Sequence, residues 1–171
     1  MQKEVLLSQA YDFVFVGGEK NTYSFQTIHG ISYSATFKHT PYLFSESSDF
    51  SKNTYEFSLL VAVNLTGKNP PLDKTILPTV ASIFGDFFEK APDTVAIYIC
   101  DSSDGRQLIR HKKFDAWFYY YQHTFVKIDS GFKETDGNFY PVSLIIKETH
   151  PSGAQIFDEF LNVMKGYNTG K

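Results

Sequence analysis

The hydrophobic period of this chain changes at Thr75. Between residues 23 and 63 apolar and polar residues largely alternate, as they do on strands that bury one face. Over residues 76–88 the apolar residues recur at spacings of three and one, which form the stripe of an amphipathic helix. A chain that switches period in this way is neither all-helical nor all-strand, and the pattern predicts an α+β fold.

Strand signals recur along the chain. Two alternating segments, 23–26 and 31–38, flank His29-Gly30, where glycine can adopt the positive φ of a tight turn, and together they predict a β-hairpin. Residues 11–16, closed by Gly17-Gly18, could add a short strand before it. Further strands are predicted at 55–63, 95–100, 125–128 and 140–146. Residues 55–63 are apolar on both faces over part of their length, so we expect that strand to be internal to the sheet.

Three helices are predicted between these strands. The first begins with Thr75 as its N-cap and ends before Pro92, and the second runs to about Tyr121. The third opens with Ser152-Gly153-Ala154-Gln155, which has the form of a capping box, and stops at Gly166. The predicted order is β-β-β-α-β-α-β-β-α, a mixed, mostly antiparallel sheet of about six strands with three helices, in one globular domain of residues 1–171.

Composition excludes several classes of function. A net charge of −3 and a pI near 5.9 give no overall basic field for nucleic acid or an anionic membrane. No apolar run approaches the roughly eighteen residues of a membrane span. The single cysteine, Cys100, excludes an internal disulfide and a Cys-pair zinc site and indicates a reducing compartment. Because the first residues also make a poor signal peptide, we expect a cytoplasmic location.

The strongest candidate site is the junction between the strand at 95–100 and the helix that follows it. Ligands collect at the carboxyl ends of strands in open sheets, and helix N–H groups there favour anions. An anion or an acidic partner surface could dock on this junction and on the basic side chains that continue along the helix. The residues predicted to bind are Asp101, Ser102, Ser103, Asp104, Arg106, Arg110 and His111. The alternative is that Ser102, Ser103 or Asp104 caps the helix while the arginines form ordinary ion pairs with Asp101 or Asp115.

Catalytic and metal chemistry have weaker signals. Asp101 and Asp104 could hold Mg²⁺, but the sequence indicates no third ligand. The five histidines contain no pair at the spacing of a helical zinc site, and no G-x-S-x-G motif supports a nucleophilic serine. Cys100 follows an apolar run, as a buried and inert thiol does. We therefore predict no metal, and the sequence leaves the identity of any catalytic residue, and whether the protein is an enzyme, open.

The aromatic run at 117–121 cannot face one core, because a helix turns about 100° per residue. Trp117, Phe118 and Tyr121 can be buried together, which leaves Tyr119 and Tyr120 pointing elsewhere. These two tyrosines either pack against the loop at 40–52 or form part of an exposed aromatic patch. Exposed tyrosine beside arginine is typical of the residues that dominate protein interfaces.

Several segments resemble a bacterial family of unknown function found chiefly in Bacteroidetes. The resemblance lies in Tyr23–Tyr33, Tyr42–Phe44, Ile99–Gln107 and Phe114–Phe118, and it extends over roughly residues 11–160. It implies no activity.

The element order is also similar to that of the GCN5-related N-acetyltransferases, in which three antiparallel strands lead into a helix, a strand, a helix and two strands. That resemblance implies a Q/R-x-x-G-x-G/A loop whose N–H groups bind the acetyl-CoA pyrophosphate. The corresponding stretch, Leu65–Asp73, offers Gly67 and Lys68 together with two prolines, so it is a non-standard form of the loop. Asp104 and Phe114 stand at the positions of the family's usual Asn and Tyr, and Phe114 has no hydroxyl to act as an acid.

Two hypotheses of function follow. The first is a non-catalytic protein-interaction module on an acetyltransferase-like scaffold, such as an accessory, antitoxin, immunity or defence component, which needs no cofactor. Its partner would bind Arg106, Arg110, His111 and Tyr119 or Tyr120. The alternative is an acyl-CoA-dependent N-acyltransferase with a non-standard cofactor loop at Gly67 and Lys68.

Overall fold

The computed structural model describes residues 9–99, 107–121 and 124–169. Within these ranges the chain forms seven strands and three helices, which confirms the predicted α+β class and the order of the elements. In chain order the elements are β1 (Phe13–Gly17), β2 (Thr22–Gln26), β3 (Ile31–His39), β4 (Thr54–Asn64), α1 (Ile76–Lys90), β5 (Val95–Ile99), α2 (Gln107–Tyr121), β6 (Phe125–Lys133), β7 (Phe139–Lys147) and α3 (Gly153–Asn168). The short strand β1 brings the count to seven rather than about six.

The sheet is mixed, with the strand order β1-β2-β3-β4-β5-β7-β6. β4 and β5 run parallel, whereas β1 with β2, β2 with β3, β5 with β7 and β6 with β7 are antiparallel. Among the described residues, no helix is long and apolar enough to cross a membrane. The backbone divides into two compact units, residues 1–38 with 58–90 and residues 39–57 with 91–171, so the expectation of a single domain stays a prediction.

The first unit buries one face of the hairpin under α1. Along β2 and β3 every second residue is buried, as the alternation predicts. The ring of Phe37 stacks on that of Phe87 of α1, with centroids 4.0 Å apart. Tyr23 and Phe25 of β2 are also buried in this aromatic core.

β4 is internal to the sheet, as predicted, because it lies between β3 and β5 in the strand order, but the far half of the strand is exposed. Thr54 and Phe57 are buried, but Leu60, Val61 and Val63 are 44–61% exposed. The register with β5 ends at Phe57, so the strand runs on beyond its pairing with β5 in the described part of the chain. Apolar residues on both faces therefore mark an internal strand here, but not one that is buried along its whole length.

The second unit carries a helix on each face of the β5-β7-β6 sheet. One face packs on α3, where Leu144 and Ile146 of β7 join Ile156 and Phe160 in a buried core. On the other face the rings of Tyr98 and Phe114 stack at 4.2 Å and attach α2. Among the described residues, this core comprises Phe44, Phe50, Val95, Ile97, Val142, Leu144, Ile146, Ile156, Phe160 and Met164.

Helix α3 begins and ends differently from the prediction. The Ser152 side chain makes no capping hydrogen bond, so the predicted capping box is wrong; instead Nδ1 of His150 accepts the Ser152 N–H at 3.0 Å. The helix also continues through Gly166 to Asn168. Its last turn is held by contacts with β6, where the ring of Tyr167 lies 5.3 Å from that of Phe132, and these contacts outweigh the helix-ending tendency of glycine.

Candidate functional site

Helix α2 and the turn after β4 hold the predicted site residues that the structure describes. Asp101, Ser102, Ser103, Asp104 and Arg106 lie outside the described residues. Arg110, His111, Tyr119 and Tyr120 belong to α2, although the side chain of Tyr120 is not among those described. Gly67 and Lys68 lie in the turn that follows β4.

The sequence of α2 places its apolar residues on two sides of the helix. Phe114 is buried against the sheet, and Arg110, His111 and Phe118 are half-buried beside it. The exposed residues fall within an arc of about 140°, at about 100° per residue. They are Leu108, Ile109, Lys112, Lys113, Ala116 and Tyr119, and we call them the α2 outer face.

A polar cluster lies under α2, between the helix and the β6–β7 hairpin. The ammonium of Lys127 on β6 is 2.5 Å from Oδ1 of Asp115 and 2.5 Å from both carboxylate oxygens of Asp129. Nε2 of His111 lies 3.3 Å from Oδ2 of Asp115, one turn along α2. Ser143 of β7, which is paired with Asp129 in the sheet register, donates its hydroxyl to Oδ1 of Asp129 at 2.7 Å.

The electrostatics of the cluster centre on Lys127, whose side chain is 4% exposed. Burial raises the pKa of the Asp129 carboxyl, but hydrogen bonds from Lys127 and Ser143 outweigh that effect and bring its pKa below the ordinary value. The Lys127 ammonium also lies 5.6 Å from the centre of the Phe118 ring. The buried charge of Lys127 is thus compensated by two carboxylates and an aromatic ring, of which Asp115 and Phe118 belong to α2 and Asp129 to β6.

The chemistry open to the cluster is limited by this pairing. His111, Asp115 and Asp129 each offer one ligand atom, all within 4.8 Å of one another, which is a spacing that a metal ion could use. The Lys127 ammonium contacts both carboxylates and already supplies positive charge there. Ser143 is fully buried, so its hydroxyl is closed to a substrate. The arrangement is suited to fixing α2 on the β6–β7 hairpin.

Sequence reasoning missed most of this cluster. It placed His111 on a partner-binding surface, whereas the structure brings His111 into the cluster, with Nδ1 buried and without a hydrogen-bond partner among the described residues. The spacing of His111 and Asp115 by four residues on one helix was a usable signal. Lys127 and Asp129 likewise share one face of a strand. The contribution of Ser143 depends on strand register, which no local pattern reveals.

The turn after β4 uses its own side chains to satisfy its backbone. Gly67 has φ +69°, a conformation that glycine adopts without strain. The N–H of Thr66 donates to Oδ1 of Asn64 at 3.0 Å, and the N–H of Lys68 donates to the Thr66 hydroxyl at 3.2 Å. These two donors are directed into the turn, whereas a phosphate-binding loop would direct them toward a ligand.

Comparisons with known proteins give a family and no activity. Residues 72–162, just over half of the chain, match the model of a family whose function is unknown. The match runs from before α1 into α3 and includes every residue of the polar cluster. No curated protein and no solved structure matches this chain.

Proposed function

This chain belongs to DUF6169, a family of unknown function, and we propose from the geometry of α2 that it is a protein-interaction module whose α2 outer face binds an acidic partner protein. The observation that carries the proposal is Tyr119, which is 71% exposed. It lies on the same side of the helix as Leu108, three turns away, and Lys112 lies between them. Tyrosine contributes a large contact area at interfaces for little loss of side-chain freedom.

The apolar part of the α2 outer face supports a protein partner. Leu108 and Ile109 are each 56% exposed, so with Tyr119 they make three large exposed apolar residues among the described side chains of α2. Single exposed apolar residues are ordinary, but several on one short helix form a patch of the kind that binds proteins. Arg110 and His111 flank this face from half-buried positions and are not part of it.

The charge of the α2 outer face indicates the chemistry of the partner. Its charged residues are Lys112 and Lys113, and none of its six members is acidic. Asp115, the one carboxylate of α2, is half-buried and paired with Lys127 and His111. An acidic surface with an apolar centre would therefore complement this face, and the lysines would accelerate its association.

The polar cluster supports the proposal by fixing the position of α2. Asp115 and His111 connect the inner side of the helix to Lys127 on β6. A surface held on a rigid scaffold loses less freedom when it binds, which increases affinity. In this proposal Lys127 and Asp129 are positioning residues that do not touch the partner, and the biological role is that of an accessory, antitoxin, immunity or defence component.

The test is site-specific photocrosslinking in the cells that naturally make the protein. A photoreactive phenylalanine analogue replaces Tyr119 in one variant and Tyr42 in a matched control. Tyr42 is 72% exposed but lies outside α2, so the two probes are equally accessible. We expect one acidic polypeptide to crosslink at position 119 and not at 42. Identical crosslinks at both positions, or none at 119, would contradict the proposal.

The order of the elements favours a second candidate, acyl transfer from an acyl-CoA. Four strands, a helix, a strand, a helix and two strands are similar to the order in the GCN5-related N-acetyltransferases. The internally bonded turn at Gly67 and Lys68 weighs against it. Native mass spectrometry of the protein purified from its own cells separates the two candidates. A bound mass equal to a CoA ester would support acyl transfer, and a second polypeptide at fixed stoichiometry would support the interaction module.

A further inference from the structure

Strand β6 ends the sheet, and its outer edge pairs with no strand among the described residues. Along an antiparallel strand, consecutive residues direct their backbone N–H and C=O groups to opposite sides. Glu134, which follows β6, donates its N–H to the carbonyl of Asn138 across the turn toward β7. The backbone groups of Glu134 and Phe132 therefore point toward β7, and those of Lys133 and Gly131 point to the outer edge.

Asn168 occupies this edge. Its Oδ1 accepts the N–H of Lys133 at 3.1 Å, and its Nδ2 donates to the carbonyl of Gly131 at 3.2 Å. A side-chain amide carries a donor and an acceptor like a backbone amide, so Asn168 bonds one outward acceptor and one outward donor of β6 that a neighbouring strand would otherwise use. The last turn of α3 holds it there, with the Tyr167 ring against Phe132.

We propose that Asn168 is an edge lock, which closes β6 against antiparallel pairing with the β6 strand of a second copy of this chain. Open strand edges promote association, and proteins block them with specific devices. The lock is separate from the α2 outer face, because its contacts lie at the end of α3 and on the backbone of β6. Release of the last turn of α3 opens Gly131 and Lys133 to a new strand.

The charge pattern of β6 points to a second copy as the strand that would pair. In an antiparallel pair centred on Ile128, Lys127 of each copy lies opposite Asp129 of the other, so opposite charges face each other at both places. The same register sets Phe125 of the other copy opposite Gly131. The carbonyl of Gly131 already accepts a hydrogen bond from the Asn168 amide, so the amide stands in the way of this pairing. Self-pairing is thus favourable in charge and is prevented at the Asn168 end.

The experiment compares Asn168→Ala with Asn162→Ala, a matched change at an exposed position of the same helix. Hydrogen exchange at the Lys133 amide and sedimentation over a range of concentrations are measured for both variants. We expect Lys133 to exchange about threefold to tenfold faster in Asn168→Ala, as for the loss of one hydrogen bond. We also expect this variant alone to form dimers as its concentration rises.

A second substitution tests whether the dimers form through β6. Lys133→Pro removes the outward N–H, so adding it to Asn168→Ala should restore the monomer. Asn168→Asp keeps the acceptor for Lys133 but sets a carboxylate oxygen against the Gly131 carbonyl, and it should dimerise as well. The proposal is overturned if Asn168→Ala stays monomeric at all concentrations, or if its dimers persist with Lys133→Pro.

Discussion

The phenol of Tyr23 donates a hydrogen bond to Oδ2 of Asp86 at 2.7 Å, which joins β2 to α1. Lys90, one turn along α1, lies 2.8 Å from the same oxygen. Hydrogen bonds from Lys90 and Tyr23 hold the pKa of the Asp86 carboxyl below its ordinary value. Burial, with the Asp86 hydrogen bond, raises the pKa of Tyr23. The carboxylate and the neutral phenol are therefore the forms that the fold stabilises.

The first prediction is that the wild type loses stability in acid as Asp86 is protonated, and that the Asp86→Asn variant lacks this part of the loss. A carboxyl whose pKa is lower in the folded state stabilises the fold above its ordinary pKa of 3.8, and this contribution disappears as the pH falls through the folded pKa. Because Asp86 is about one-third exposed, solvent limits the effect to about 1 kcal/mol or less at pH 7. Urea unfolding from pH 7 to below pH 3 measures it.

The control for this prediction is Asp158→Asn, at an exposed position of α3. It should leave the dependence of unfolding free energy on pH close to that of the wild type. Asp86→Asn should be less stable than the wild type at pH 7, and the two proteins should have similar unfolding free energies below pH 3. Equal losses at both pH values would show that the substitution acts through packing rather than through charge.

The second prediction concerns Gly131, where β6 approaches β7 closely. A Cβ atom at this position would overlap the ring of Phe139 and lie 2.6 Å from the backbone oxygen of Tyr140. The ring can move but the backbone cannot do so cheaply, so Gly131→Ala should destabilise the fold by about 1–3 kcal/mol. Thermal unfolding monitored by circular dichroism measures the change.

Gly85→Ala is the matched control for this prediction. Gly85 is an exposed residue of α1, and nothing lies within 4 Å of the position of an added Cβ. Alanine is the better helix former by about 1 kcal/mol, so this variant should be more stable than the wild type. The same substitution then has opposite signs at the two glycines. A stabilising Gly131→Ala would show that β6 and β7 are farther apart than the structure has them.

The third prediction is that Lys127→Met destabilises the fold through the carboxylates it leaves behind. Removing one member of a buried ion pair leaves its partners uncompensated. Because Asp115 and Asp129 retain some exposure, we expect a loss of about 1–3 kcal/mol in unfolding free energy rather than the full cost of a buried charge. Lys133→Met, on the same strand but with an exposed side chain, should change stability by less than about 0.5 kcal/mol.

A double variant separates charge from packing in this cluster. Asp129→Asn removes one of the uncompensated charges, so adding it to Lys127→Met should recover part of the lost stability. If the double variant loses as much unfolding free energy as the two single variants together, Lys127 contributes through the packing of its side chain and not through its charge.

The sequence predicts this fold best where burial follows a local period. The hairpin at β2 and β3 and helix α1 have buried faces that repeat at two and at 3.6 residues, and both form as expected. Strand β6 was predicted only to Ile128, because Asp129, Ser130 and Gly131 interrupt its apolar pattern. These residues are held in the strand by the register with β7 and by contacts with α2 and α3, which a local pattern does not contain.

The candidate site shows the same division. Helical geometry alone predicts that Tyr119 points away from the buried side of α2, because five consecutive aromatic residues cannot share one face. It does not decide between packing on the loop at 40–52 and the exposure that the structure has. The polar cluster joins residues separated by up to 32 positions, and its assembly depends on how α2 packs over the β6–β7 hairpin. A local sequence pattern does not contain such tertiary contacts. From the pattern alone, His111 is therefore predicted on a binding surface and not in the cluster.

The last prediction tests the charge of the proposed partner. Lys112→Glu reverses one charge on the α2 outer face, where an acidic partner would bind. Affinity for the polypeptide that crosslinks at position 119 should fall by about tenfold, mainly through slower association, and the loss should shrink as salt is raised from about 0.05 M to about 0.5 M. Lys165→Glu, at an exposed position of α3, makes the same change in net charge away from α2 and should bind like the wild type. Equal losses in both variants would mean that net charge, and not the α2 outer face, determines binding.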